Sequence, residues 1–204
     1  ALTGADRALG EPGRRVVLHA SELDPPLLAP LSATLADCVA ALQHGGHQAS
    51  HQLHAGNFLD QAAGWLRSGE LRPNVALVNP PYRKIRGDSR ERRLLSQFGI
   101  ETANLYTAFL ALLARLLAPG GVLCAICPRS FCNGPFFRAF RRLLFDEERL
   151  ALRRVHEFTK RTWNFANVLQ ETIIFTAVKG GETTAVRVSR SRTVCVAPAS
   201  ISRR

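Results

Sequence analysis

Methionine is absent from the 204-residue chain, even at position 1, so the chain is expected to be a piece of a longer protein. It also lacks any apolar run near the roughly 20 residues that a membrane span needs. Its polar, glycine-containing start has no basic stretch leading into an apolar one, so neither a membrane partner nor a secretory signal is expected. Acidic residues are scarce: 16 Asp and Glu face 27 Lys and Arg, nearly all arginine, for a formal charge of +11. Arginine forks match phosphate geometry, so this surplus favours a polyanionic partner. The competing account is a generically basic surface. Five cysteines, an odd number, exclude a complete disulfide framework. Cys124 and Cys127 form a CxxC followed by Cys132, yet no second CxxC or nearby histidine pair completes a zinc site. They are expected as small apolar core residues in a reducing cytoplasm, with no metal.

What the chain does have centres on residues 75–82, Val-Ala-Leu-Val-Asn-Pro-Pro-Tyr. The apolar run fits a strand of a parallel sheet, buried on both faces. Proline has no N–H for the ladder, so the strand must stop at Asn79. Pro80 and Pro81 then fix φ and hold the preceding residue extended. A stiff corner results at the carboxyl end of a strand, where open α/β sheets place their ligands. The Asn79 side-chain oxygen and the Pro80 carbonyl can each accept a hydrogen bond from a planar amino group, and Tyr82 can stack on the ring that carries it. The lone pair of such an amine is delocalised into its ring. Two acceptors aimed at its hydrogens favour the tetrahedral, positively charged form that develops as the nitrogen is alkylated. The bland reading is a turn after a strand, since Asn-Pro often begins one.

The flanks read as an alternating α/β chain. Residues 16–24 form a strand ending in Glu22 and Asp24, and Pro25-Pro26 open a helix through Leu27, Leu31, Leu35 and Val39. His44, His47, His51 and His54 have no partner at zinc-site spacing and are expected at the surface. Arg83-Lys84-Ile85-Arg86 and Arg90-Glu91-Arg92-Arg93 suit phosphate contacts beside the corner, or a solvated face. Leu105, Phe109, Leu112, Leu113 and Leu116 make an apolar helical stripe that Pro119-Gly120-Gly121 ends. A buried strand runs to Ile126, and Pro135 starts an amphipathic helix carrying Phe136, Phe137, Phe140 and Leu144, read as packing residues rather than a base-stacking surface. Residues 152–158 and 169–178 read as strands paired at the sheet edge, and residues 185–189 as a further short strand.

Asn79-Pro80-Pro81-Tyr82 resembles the catalytic motif of amino-methyltransferases that use S-adenosylmethionine. Three more stretches follow in the same order as in the N6-adenine DNA methyltransferases of bacterial restriction–modification systems. They are Asn104-Leu105-Tyr106 with Phe109, Pro128-Arg129-Ser130-Phe131-Cys132-Asn133-Gly134, and Val168-Leu169-Gln170-Glu171-Thr172. The chain resembles that family from about residue 16 to residue 178. The resemblance implies a three-layer α/β, Rossmann-like class I methyltransferase fold, its sheet mostly parallel with one antiparallel strand near the edge. It implies S-adenosylmethionine as cofactor and double-stranded DNA as partner, with the target adenine flipped out of the duplex. Asn79, Pro80 and Pro81 would present the acceptors to N6, while Tyr82 and Phe165 sandwich the ring, Trp163 being the alternative to Phe165. Glu22 would take the cofactor's ribose hydroxyls, with Leu23 against its adenine. Asn57, where the family commonly has aspartate, would bind the adenine amino group, and Phe58 would flank the ring.

The family also carries a GxG turn after its first strand, and no GxG occurs in this chain. The first, central strand is therefore expected to be missing, leaving a piece that alone binds cofactor weakly or not at all. Residues 1–180 are expected to be the truncated catalytic domain, and residues 181–204 a terminal strand and basic tail leading towards a target-recognition region. A cognate restriction endonuclease is an implied partner, in the bacterial cytoplasm. Other readings stay open: a protein-glutamine methyltransferase, an RNA amino-methyltransferase, or a non-catalytic DNA-binding fragment. The arginine-rich flank and Phe165 speak against the first of these.

Overall fold

The computed structural model describes residues 12–158 and 171–191, in two compact units that divide after Gln61. In the first unit β1 (Arg15–Glu22) and β2 (Gln48–Ala55) pair in parallel, with Arg15 opposite Gln48 and Glu22 opposite Ala55. Parallel neighbours need a crossover, and α1 (Pro25–His44) supplies it. Its two opening prolines sit where helix N–H groups have no intrahelical partner. It closes at Gly45 and Gly46, whose N–H groups return to the carbonyls of Ala41 and Gln43; Gly46 takes a φ of 83°. The turn carries His47 inward. It is buried, with no hydrogen-bond partner for Nδ1 among the described residues, so the expectation of a surface histidine is wrong at this position. By length and composition α1 could cross a membrane, which contiguous apolar runs do not reveal because Ser32, Thr34 and Asp37 interrupt them. A helix buried in a core meets the same test; α1 packs on β2, but Leu35 is its one buried residue. The chain then enters α2 (Phe58–Ser68).

The second unit holds β3 (Val75–Val78), β4 (Val122–Pro128), β5 (Leu150–Phe158), β6 (Thr172–Lys179) and β7 (Arg187–Ser191) in one sheet of order β3-β4-β6-β5-β7. β3 is parallel to β4 and β5 to β7, while β6 runs antiparallel to both β4 and β5. One antiparallel strand in an otherwise parallel set is what the family resemblance implied. Its place differs: β7 adds outside β5, so β6 lies in the interior of the sheet. The second unit also contains α3 (Arg90–Ser96), α4 (Leu105–Leu116), a 3-10 turn at Arg129–Cys132, α5 (Arg138–Arg142) and a π-helical turn at Leu143–Glu147.

α4 is the core helix. Leu105, Tyr106, Ala108, Leu110, Leu112 and Leu116 are all buried, which exceeds a single apolar stripe and means the helix is covered on most sides. Behind it Gly121 lets the chain re-enter the sheet, since a Cβ there would meet the Ala118 carbonyl at 2.8 Å. β4 has Leu123, Ala125 and Cys127 in the core. Cys124 is half-buried, whereas Cys132 and Cys38 are exposed, so the core expectation holds fully only for Cys127. The reading of β3 as buried on both faces also needs correction. Val75 and Leu77 are 59% and 77% exposed, because β3 is an edge strand here and one face has no cover.

One charged group ties α4 to the far end of the sheet. Glu148 accepts from Arg115 Nε at 3.0 Å and faces Lys179 Nζ at 3.2 Å, and all three side chains are largely buried. Lys179 also donates to the Ala114 and Arg115 carbonyls at the end of α4. Removing a buried anion leaves its cations uncompensated, at a cost of about 3 kcal/mol. Glu148→Ala should therefore lower the unfolding free energy by about that amount in urea titrations, with Glu148→Gln falling between.

Candidate active site

Past Val78, which pairs with Ala125, the β3–β4 ladder runs short of donors. The Val122 N–H on the Asn74 carbonyl at 2.8 Å sets the phase, so even-numbered β3 residues bond to β4. Continued by two residues, that phase asks Pro80 for an N–H to the Ile126 carbonyl, and asks residue 128 for an N–H to the Pro80 carbonyl. Both residues are prolines and neither has one. The Tyr82 hydroxyl fills the first place, reaching the Ile126 carbonyl at 3.2 Å and Asn79 Oδ1 at 3.1 Å. The Pro80 carbonyl is left without a ladder donor.

The rest of the corner is built to hold that phenol. The Ile85 N–H donates to the Ala103 carbonyl and the Leu105 N–H to the Arg83 carbonyl, pinning the segment after Tyr82 to the start of α4. Tyr106, buried on α4, sets its ring edge against Tyr82 with centroids 6.3 Å apart, and its hydroxyl meets Ser130 Oγ at 3.2 Å. Pro128 pairs with Thr172, and the Arg129 N–H donates to the Glu171 carbonyl at 2.8 Å. Four stretches far apart in the chain thus converge on the carboxyl ends of β3 and β4. Tyr106 and Ser130 were assigned no role from sequence. The available signal was that the chain has only two tyrosines, both inside the quoted motifs. Phe165 and Trp163 lie outside the described residues.

Electrostatics follow from this burial. Desolvation pushes the Tyr82 hydroxyl up to about 12, and the neighbouring Cys127 thiol adds to the effect. Tyr106 is raised further by burial, against the pull of its Ser130 hydrogen bond. The basic flank is partly neutralised in place: Arg83 lies 3.9 Å from Glu91 and Arg86 lies 3.8 Å from Asp88. Arg92 is turned to the Thr102 carbonyl, and Ile85 is buried.

In the first unit the other candidate residues gather at the carboxyl ends of β1 and β2, joined by the Gly56 N–H on the Glu22 carbonyl at 2.8 Å. Glu22 Oε1 accepts the Asp24 N–H at 2.7 Å, which fixes the carboxylate and leaves its second oxygen for a ligand. Leu23 is 65% exposed. Asn57 Oδ1 accepts the Leu59 N–H at 2.9 Å, so Asn57 caps α2, and Phe58 is half-buried at the first helical position. Among the described residues no group of three or more His, Cys, Asp or Glu could hold a metal.

Comparison with known proteins places the same stretches within a family match. Residues 73–162, which include the proline corner, α4 and β4, match the Eco57I restriction-modification methylase family. Over 194 residues the chain is 37% identical to the type II methyltransferase M.BsuBI of Bacillus subtilis, across 91% of this chain and 37% of that protein. The chain is a homologue of restriction–modification methyltransferases. To the type II methyltransferase M.PstI of Providencia stuartii this methyltransferase homologue is 51% identical over 109 residues, 52% of its own length and 21% of the relative's. It therefore spans well under half the length of either curated relative. A solved structure assigned to the class I S-adenosylmethionine-dependent methyltransferases, from Listeria monocytogenes, matches its fold with a TM-score of 0.61 at 11% identity. That match covers 88% of the methyltransferase homologue and 59% of the other chain.

The raised phenols give a direct check on the corner. Both tyrosines should stay protonated through pH 10, the range where a denatured chain ionises them, and phenolate absorbance should rise only as the pH approaches about 12. Because the folded value lies above the unfolded one, stability is unaffected below about pH 10 and declines from there towards about pH 12. A normal phenolate titration in the folded protein would contradict the burial of the two hydroxyls described here.

Proposed function

We propose that the complete protein transfers a methyl group from S-adenosylmethionine to the N6 amino group of adenine in DNA, within a restriction–modification system. The observation that carries this reading is the Tyr82 hydroxyl bound to both Asn79 Oδ1 and the Ile126 carbonyl. The single phenol hydrogen is shared between the two oxygens, with the Asn79 amide setting its oxygen rather than its NH2 against the hydroxyl. A carbonyl oxygen has two lone pairs, so one remains for a substrate N–H. The Pro80 carbonyl, without a ladder donor, is the second acceptor. Asn79 and Pro80 draw on the amine hydrogens and stabilise the positive charge that grows on N6 as its lone pair leaves the ring. Tyr82, held by its hydroxyl, gives the purine a stacking surface whose tilt is set in advance, and Phe165 is the proposed second face. An adenine must leave its duplex to reach such a corner. Exposed Arg83, Arg86 and Arg93 supply phosphate contacts beside it.

The first unit suits the adenosine half of the cofactor. The second carboxylate oxygen of Glu22 would take ribose hydroxyls, and the exposed Leu23 would lie against the adenine. Asn57 and Phe58 would hold the adenine edge and face. When bound, S-adenosylmethionine supplies an electrophilic methyl group on a sulfonium. The bare edge of β3, with Val75 and Leu77 exposed, fits a further strand from the rest of the protein that carries the glycine turn missing from this sequence.

Asn79→Ala in the complete protein tests the assignment, since Tyr82 keeps its Ile126 bond and the fold should persist. Adenine methylation should fall by about 10²–10³-fold or more, with the melting temperature and affinity for S-adenosylmethionine near wild type. Methylation that survives the substitution, or that appears on peptide or RNA but not DNA, would refute the reading.

A further inference from the structure

We infer that Phe136, with Arg138 and Arg142 close by in the chain, is a base-stacking platform for the nucleic-acid strand that carries the target base. The inference rests on the nucleic-acid reading proposed above, and it starts from an anomaly. Of the apolar residues expected to pack in this segment, Phe140 and Leu144 are buried and Phe137 is half-buried, but Phe136 is 69% exposed. α5 begins only at Arg138, so Phe136 precedes the helix and does not share its inward face.

The exposure is held in place. The Arg141 guanidinium donates to the carbonyls of Phe131, Asn133 and Gly134 at 3.0, 3.2 and 2.8 Å, clamping the loop that leads to Phe136. Gly134 takes a φ of 76°, a left-handed conformation that a side chain would disfavour, and Pro135 stiffens the next step.

Its neighbours indicate the use. Phe136 stands edge-on to Phe137 with centroids 4.9 Å apart, Phe137 lies 6.1 Å from Tyr106, and Tyr106 lies 6.3 Å from Tyr82. A continuous file of rings therefore runs from the proline corner to solvent and ends at Phe136. There it borders a cleft of about 760 Å³ lined also by Arg138, Arg141, Arg142 and Phe145, with Asp146 the single acid among the described residues. Arg142 reaches Glu147 at 3.7 Å, an exposed pair weak enough for a phosphate to displace. An aromatic face among guanidinium groups is the combination that binds single-stranded or splayed nucleic acid, bases on the ring and phosphates on the cations. A strand distorted to deliver one base to Tyr82 would have a second unstacked base to place, and Phe136 offers it a surface.

The test uses the complete protein and fluorescently labelled oligodeoxynucleotides, single-stranded and duplex, of mixed sequence. Phe136→Ala should weaken single-strand binding about tenfold or more, and Phe136→Trp should retain it, with emission above the wild-type background quenched on saturation. Arg138→Gln and Arg142→Gln should each reduce the salt dependence of binding by about one unit of slope. If the wild-type protein binds DNA and Phe136→Ala binds and methylates it equally well, this inference fails while the functional reading stands, and the cleft belongs to a protein partner. An unquenched Phe136→Trp at saturation overturns it equally. If the wild type binds no DNA at all, both readings fall together.

Discussion

A parallel ladder that runs out of N–H groups is the constraint on which the corner depends. β3 and β4 hold together through backbone bonds as far as Val78 and Ala125, and the next positions that should bond are both proline. A buried carbonyl with no donor costs about 1–3 kcal/mol, so two in succession would loosen the end of the sheet. The tyrosine hydroxyl answers one of them at Ile126. The other, on Pro80, can be satisfied by a ligand. A weakness in the sheet thus becomes a fixed hydrogen-bond acceptor, and the same residue pair that creates it also prevents the backbone from relaxing around it.

Replacing a backbone donor with a phenol has further consequences. A phenol works as a donor only while protonated, and burial raises the Tyr82 hydroxyl to about 12, beyond any working pH. The ring must lie across the end of β4 to reach Ile126, which sets its tilt before anything stacks on it. Tyr106 braces it from α4, and Ser130 braces Tyr106. These supports come from an otherwise buried helix and from a turn after β4, elements that pack for reasons of their own. On the proposed reading, the arrangement would need little conformational change when a substrate arrives, which is how a site gains rate from positioning.

Much of this could be read in the residues because proline chemistry is local. Pro80 and Pro81 end a strand whatever surrounds them, and the helix from Leu105 and the strand to Pro128 announce themselves by periodicity and length. Periodicity cannot report how many neighbours an element has, which is why Leu77 was expected in a core and stands in the open. His47 was misjudged for a related reason: a sequence window sees a polar ring but not the two-glycine turn that carries it under α1. Phe136 failed through a boundary, since moving the helix start from Pro135 to Arg138 takes the ring off the packed face. The membrane-length window in α1 is the converse error, a property of composition that becomes visible only once the helix bounds are known.

Asn57 stands where the resembling family commonly has aspartate, and the structure gives the position one duty, to which the proposed adenine contact would add a second. It caps α2 through the Leu59 N–H, a task for which asparagine and aspartate are nearly equivalent. An adenine amino group likewise needs an acceptor and not a charge, and the amide oxygen has a second lone pair to offer. What asparagine gives up is the interaction of an anion with the helix N-terminus, about 0.3–1 kcal/mol. Neither duty turns on that charge, whereas at Glu22 a neutral amide would weaken the pair of bonds expected from ribose hydroxyls. On the proposed reading, an amide at one strand end and a carboxylate at the other would reflect the same distinction, between a group that must accept a hydrogen bond and one that gains from doing so with full charge.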